Sequence, residues 1–282
     1  MEILECAFPS HYYCPWCDKF HQRHPESGPK TWGRETKRNC QAWNGYLHAG
    51  KDYVLMWHHV RLAVNRASWG EEFGIPLDDF VYRKDGCTSL GKENGRTRLD
   101  IEAKIVSGRF LLHSTFSIAI PRSSTRKKNF MSQLFDALPQ NVVGHRDDRE
   151  GHSGLQTYVS QAVSQSRYHT AQLCSACASD YRIMSEVHTS TPSIIGETLF
   201  LTVESWRDLG SGRNPFEGAW RAHGEIGNSA PGFGADIVRL TNFKIGQVRR
   251  AFELEIDLPH GSDLAKNLER MISPENVNVR CI

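Results

Sequence analysis

The chain has 282 residues, with 34 Lys+Arg against 32 Asp+Glu, and 39% of it is hydrophobic. That is one large domain or two small ones, with enough apolar side chain for a sizeable core, and it excludes wholesale disorder. The net charge of +2 excludes a strongly basic nucleic-acid wrapper, and eight cysteines are too few for a disulfide scaffold of this length.

The start, Met1 to Glu5, is acidic where a signal peptide would be basic, and no apolar run approaches the roughly 18 residues of a membrane span. The expectation is an intracellular protein, in cytoplasm or nucleus alike. Residues 10–48 are dense in Cys, His, Trp, Gly and Pro without either period, which predicts a loop-rich segment held by something other than a helix stripe. Tyr53–Trp57 reads as a short buried strand and His58–Trp69 as a helix, ended by the Gly- and Pro-containing stretch Gly70–Leu77. His58 and His59 are expected to divide between a buried and a solvent face.

Leu99, Ile101, Ala103 and Ile105 alternate with mostly charged residues and predict a hairpin over Leu99–Ile120, turning at Ser107-Gly108-Arg109. Pro121 closes it, and Arg122–Lys128 reads as a solvated basic loop. Met131–Leu138 and Gln156–Ser166 read as helices, with His145–His152 between them as a charged loop. Asp180–Val187 and Thr198–Trp206 predict a second hairpin, joined through Thr191-Pro192. Trp206, Phe216 and Trp220 are expected to plug a second small core, and Ile245–Phe252 is a final short helix. Pro259-His260-Gly261 opens a loosely held tail. The fold class expected is α+β: an antiparallel sheet of two hairpins plus short helices, with the Cys/His-rich N-terminal segment stapled by zinc. Residues 1–221 form one zinc-stabilised domain in this reading, and 222–282 a partly flexible extension.

Two identical spacings carry the chemistry: Cys14-Pro15-Trp16-Cys17 and Cys174-Ser175-Ala176-Cys177. A two-residue gap lets a tight turn aim both sulfurs at one tetrahedral zinc, so each pair is half a site. The preferred reading joins Cys14, Cys17, Cys174 and Cys177 in one structural four-thiolate Zn2+ site, because closing so long a loop costs only slowly more than closing a short one. The alternative is local, with His21, His24 or Cys40 completing Cys14 and Cys17. Cys-Pro-Trp-Cys also matches thiol–disulfide oxidoreductases, whose first thiol has a lowered pKa. Here Ala7–Tyr13, with Pro9, Ser10 and His11, does not read as the buried strand such a site follows. No phosphate-binding Gly loop, nucleophile elbow or metalloprotease motif occurs, so no catalytic residue is nominated.

Several segments in order carry a resemblance. They are Cys14–Cys17 with Phe20-His21, Tyr53–Met56 leading to Leu62–Arg66 and Trp69-Gly70, Cys174–Cys177 with Asp180-Tyr181, and Trp206–Phe216 ending in Trp220-Arg221. This order resembles a group of uncharacterised fungal proteins, many of them F-box-like. The resemblance implies an intracellular protein with no established chemistry; the partner expected is an unknown protein, with no membrane and no nucleic acid. An F-box would precede the first Cys pair, and the short stretch before Cys14 has no room for one, so a ubiquitin-ligase scaffold is not carried over as partner. The function expected is a non-catalytic, zinc-stabilised binding or adaptor-type protein. A thiol–disulfide oxidoreductase using Cys14 and Cys17, or a nucleic-acid-binding zinc protein, are the alternatives.

Overall fold

The computed structural model describes residues 2–35, 40, 46–91, 93–143, 155–174, 177–189, 196–215, 217–223 and 243–258. Helix α1 (Glu2–Glu5) leads into a small antiparallel hairpin, β1 (His11–Cys14) and β2 (Lys19–Gln22), in which Cys14 lies opposite Lys19. A second small hairpin pairs β3 (Tyr46–His48) with β4 (Val54–Met56). Helix α2 (Trp57–Trp69) follows at once.

Every residue of α2 from Trp57 to Asn65 is buried, because the helix packs against β1 and β4 as well as the main sheet. His58 and His59 are therefore both buried, and the expected division between a core and a solvent face does not occur. After α2 the chain turns at Gly70 (φ 118°), a left-handed region that favours glycine. Gly74 then passes so close to α2 that a Cβ on it would lie 1.7 Å from the Leu62 carbonyl oxygen.

The main sheet is two three-strand meanders joined at their last strands. β5 (Tyr82–Leu90), β6 (Glu93–Val106) and β7 (Arg109–Pro121) form the first. A short turn then carries the chain to α3 (Phe130–Ala137) and α4 (Gln140–Val143). Next come α5 (Leu155–Ser164) and the second meander, β8 (Arg167–Leu173), β9 (Ser179–Thr189) and β10 (Glu197–Asp208). β7 pairs antiparallel with β10, giving the order β5-β6-β7-β10-β9-β8. Both expected hairpins are present, and the α+β class with an antiparallel sheet holds.

The two outer strands were not anticipated. β5 exposes most of its residues and β8 fully buries none, as edge strands with neighbours on one side do. One sheet face carries Leu112, Phe116, Ile118 and Ile120 of β7 with Leu199, Leu201 and Val203 of β10, buried in the core that also takes α2 to α5. Arg122 is not a solvated loop residue: its guanidinium donates to the carbonyls of Val163 (2.7 Å) and Ser164 (3.1 Å), closing the C-terminus of α5.

The chain continues through α6 (Gly218–Arg221) to α7 (Gln247–Leu254). α7 packs on the opposite sheet face, where Val106, Leu111, Trp206, Val248, Ala251 and Phe252 make a second apolar cluster. Asp180 holds its first turn, accepting from the backbone N–H of Gly246 (2.8 Å) and Arg249 (2.9 Å). Trp206 thus does plug a second core, whereas Trp220 joins the main one. His145–His152, Thr191-Pro192, Phe216, Pro259–Gly261 and Cys281 lie outside the described residues. No helix among the described residues is long and apolar enough to cross a membrane.

Candidate metal centre

The β1–β2 hairpin presents the first cysteine pair. Its turn is the knuckle itself: Cys17 N–H donates to the Cys14 carbonyl (3.2 Å), and Asp18 takes a left-handed conformation (φ 51°) to return the chain. His21 sits on the return strand, and Cys40 arrives from the following segment. The ligand atoms of Cys14, Cys17, His21 and Cys40 all lie within 4.8 Å of one another. His21 Nε2 is 3.5 Å from Cys40 Sγ.

Three sulfurs and one imidazole nitrogen at this separation could hold a metal ion that favours soft thiolate and imidazole donors. The electrostatics agree. Cys40 and His21 hold the Cys14 thiol down to about 4 against the opposing effect of burial. Contact with Cys14 in turn pushes the Cys40 thiol up.

The four-thiolate staple expected from the matched spacings is not what the fold assembles. Cys174 and Cys177 do not join this group, and Cys40 and His21 fill the positions assigned to them. The reason is topological: the second pair lies between β8 and β9, drawn into the main core at 2% and 0% exposure. His24 also stays outside, its Nδ1 accepting from the Glu26 N–H at 3.2 Å. The reading that Ala7–Tyr13 is no strand needs correction too, since β1 begins at His11 and delivers Cys14 at its end.

The hairpin is anchored by a buried acid near the start of the chain. Glu5 accepts from the Tyr13 N–H (3.2 Å), from the Asn65 amide (2.9 Å) and from the Arg61 guanidinium. It thereby ties β1 to α2. Behind the hairpin, Tyr12 packs on His21 (5.7 Å between ring centroids) and stacks on His58 (5.7 Å, 11°).

His58 belongs to a second buried cluster that sequence reading missed. Its Nε2 meets Glu35 Oε2 at 2.8 Å, and His59 Nε2 meets Glu35 Oε1 at 2.7 Å. Burial alone would raise the Glu35 carboxyl. The hydrogen bonds from His58 and His59 overcome it and hold the group well below the usual carboxylate range. These three residues also lie within metal-ligand distance of one another, but the proton positions speak for hydrogen bonding. The Met56 N–H donates to His59 Nδ1 (3.1 Å), so the ring proton sits on Nε2 and points at Glu35. A metal on Nε2 would force that proton onto Nδ1, against the Met56 N–H. Glu35 stands alone in a polar stretch, 23 and 24 residues from its partners, so no local pattern announces it.

Set against protein-family models, curated proteins and solved structures, the chain matches none of them.

Proposed function

We propose that the protein is a zinc-stabilised binding or adaptor-type module whose metal is held by Cys14, Cys17, His21 and Cys40. The observation that carries this reading is the convergence of three thiols and one imidazole from β1, β2 and the segment after them. Four protein ligands leave no position for water, so such an ion folds the N-terminal segment and does not hydrolyse a substrate. Apparent binding energies of structural zinc, on the order of 10 kcal/mol, suffice to order a segment with no apolar period of its own. A binding role draws support from the surface beside the knuckle. Leu4 and Phe8 are about half exposed (50% and 51%), and the Phe8 ring stands 5.9 Å from Phe20. Thiol–disulfide chemistry fits less well, because the Cys14 thiol is 1% exposed.

The test is metal stoichiometry on the purified, reduced full chain. One equivalent of zinc is expected in the wild type and in Cys177→Ser, and less than a tenth of it in Cys40→Ser. Loss of zinc in Cys177→Ser with retention in Cys40→Ser would restore the shared site. A metal-free wild type would end the zinc reading.

A further inference from the structure

The main sheet has two edges, and they differ in how the free backbone is protected. On β5, Arg83 pairs with Asp100 (3.2 Å) and Lys84 with Asp52, so charged side chains flank the open side. β8 has no lysine, no acid and no proline, and Arg167 is its one formally charged residue. Its register with β9 runs unbroken from Arg167 opposite Glu186 to Leu173 opposite Asp180, so no bulge turns the strand aside.

The phase of the ladder tells which backbone groups are free. The Val187 N–H donates to the Ser166 carbonyl (3.0 Å), and the Cys174 N–H to the Ser179 carbonyl (2.9 Å). Hydrogen-bonded and non-hydrogen-bonded positions alternate in an antiparallel pair. Tyr168, Thr170 and Gln172 therefore turn their backbone groups towards β9, and Arg167, His169, Ala171 and Leu173 turn theirs outward. Among the described residues, no backbone group bonds these four from the open side. Their N–H and C=O groups are spaced as a further strand needs.

A cavity opens beside this edge. Arg167, Glu186 and Phe200 stand in one cross-strand row, and His169, Met184 and Thr202 in the next. Together they line a space of about 380 Å³. α7 covers this sheet face at Trp206, and Phe200, six residues away along β10, is 45% exposed. Glu186 is engaged by His188 (3.3 Å), whereas Arg167, directly opposite it, has no ion-pair partner among the described residues. The cavity thus combines the apolar side chains of Met184 and Phe200 with one unbalanced cation beside the edge.

We infer that β8 is the docking edge for an extended segment of a protein partner, which adds a strand to the sheet. That segment places an acidic side chain beside Arg167 and, two positions along on the same face, an apolar one that leans over His169 into the cavity. Main-chain hydrogen bonds supply the affinity of such strand addition, and pockets beside the edge supply its specificity. A second copy of β8 fits less well, because it brings no acid to Arg167. The inference deepens the binding reading above without using the metal, since β8 shares no sheet with the β1–β2 hairpin.

A phage-displayed library of random peptides of about ten residues, panned on the purified, reduced full chain, tests this. Enriched peptides are expected to carry an acidic residue two positions from an apolar one, and to bind Arg167→Glu about tenfold more weakly. Synthetic copies methylated on alternate amide nitrogens then read the backbone. Only every second amide of an added strand faces β8, so methylation in one phase should weaken binding about tenfold and in the other leave it unchanged. Ala171→Pro removes one outward N–H without touching the ladder to β9, and a loss of about tenfold is expected there too. Equal binding by the two methylated phases, equal binding to Ala171→Pro, or the absence of any enriched peptide overturns the inference. The methylated peptides decide alone if Ala171→Pro does not fold. A free chain that sediments as a dimer, and as a monomer once Ala171→Pro is made, would give the edge to a second copy and overturn it as well. None of these readouts depends on zinc content, so the two readings fail separately.

Discussion

The two Cys-x-x-Cys pairs share a spacing and little else. Cys14 and Cys17 close a surface hairpin and face a third thiol and an imidazole. Cys174 and Cys177 lie in the core between β8 and β9 and face, through Ser179, a buried guanidinium. One neighbourhood supplies more ligands and invites a cation. The other already holds a buried guanidinium, that of Arg207. Spacing fixes how two sulfurs are presented; the groups that surround them come from the tertiary fold.

The largest effect expected from breaking this contrast is at Arg207. Arg207→Leu should destabilise the chain by about 3–5 kcal/mol, since it leaves the buried Asn141 and Val142 carbonyls and the Tyr181 hydroxyl without their donor. Denaturant unfolding checks this, and zinc content should not change. Loss of zinc from the folded Arg207→Leu chain would erase the distinction between the two regions.

Behind the first pair, Glu35→Gln should cost about 1–3 kcal/mol near neutral pH, because one amide cannot accept from both His58 and His59. The sign of its pH dependence follows from the carboxyl being held below its ordinary value. Such a group contributes stability that is complete above the unfolded-state value, about 4.3, and is lost as pH falls through the folded one. The gap between wild type and Glu35→Gln should therefore be constant above about pH 5 and narrow below about pH 4. A gap that widens on acidification would contradict the arrangement.

The smallest effect belongs to Asp180, one turn of strand beyond the second pair. Asp180→Ala removes the acceptor for the first turn of α7 and should cost about 1–2 kcal/mol. Hydrogen exchange should show it in residues 246–254 while the β1–β2 hairpin keeps its protection.

The legible parts of the fold were those with a period of their own. Leu99, Ile101 and Ala103 announced β6, and Asp180–Val187 with Thr198–Trp206 announced the β9–β10 hairpin, because one face of each strand is buried. β5 and β8 lack that signal, since an edge strand such as Tyr82–Leu90, with Arg83, Lys84 and Asp85, meets water on most of its surface. The knuckle residues Cys14 and Cys17 and the candidates His21 and Cys40 were visible as residue types. Choosing among candidates required knowing that Cys40 comes back to the hairpin, a tertiary fact that no spacing encodes. Glu5, Glu35 and Arg207 were invisible for the same reason: their partners lie on other elements, 56 residues away for Glu5 and Arg61.

The joining of two meanders at β7 and β10 has a consequence for how the chain reaches this fold. Within each meander, neighbouring strands are linked by short connections, so their closure entropy is small. The seam is different: Ser117 meets Thr202 across 85 residues of chain. The non-local closure of the large sheet is thus concentrated in one strand pair, placing the slow topological step at the centre of the sheet and leaving its edges to form from nearby chain.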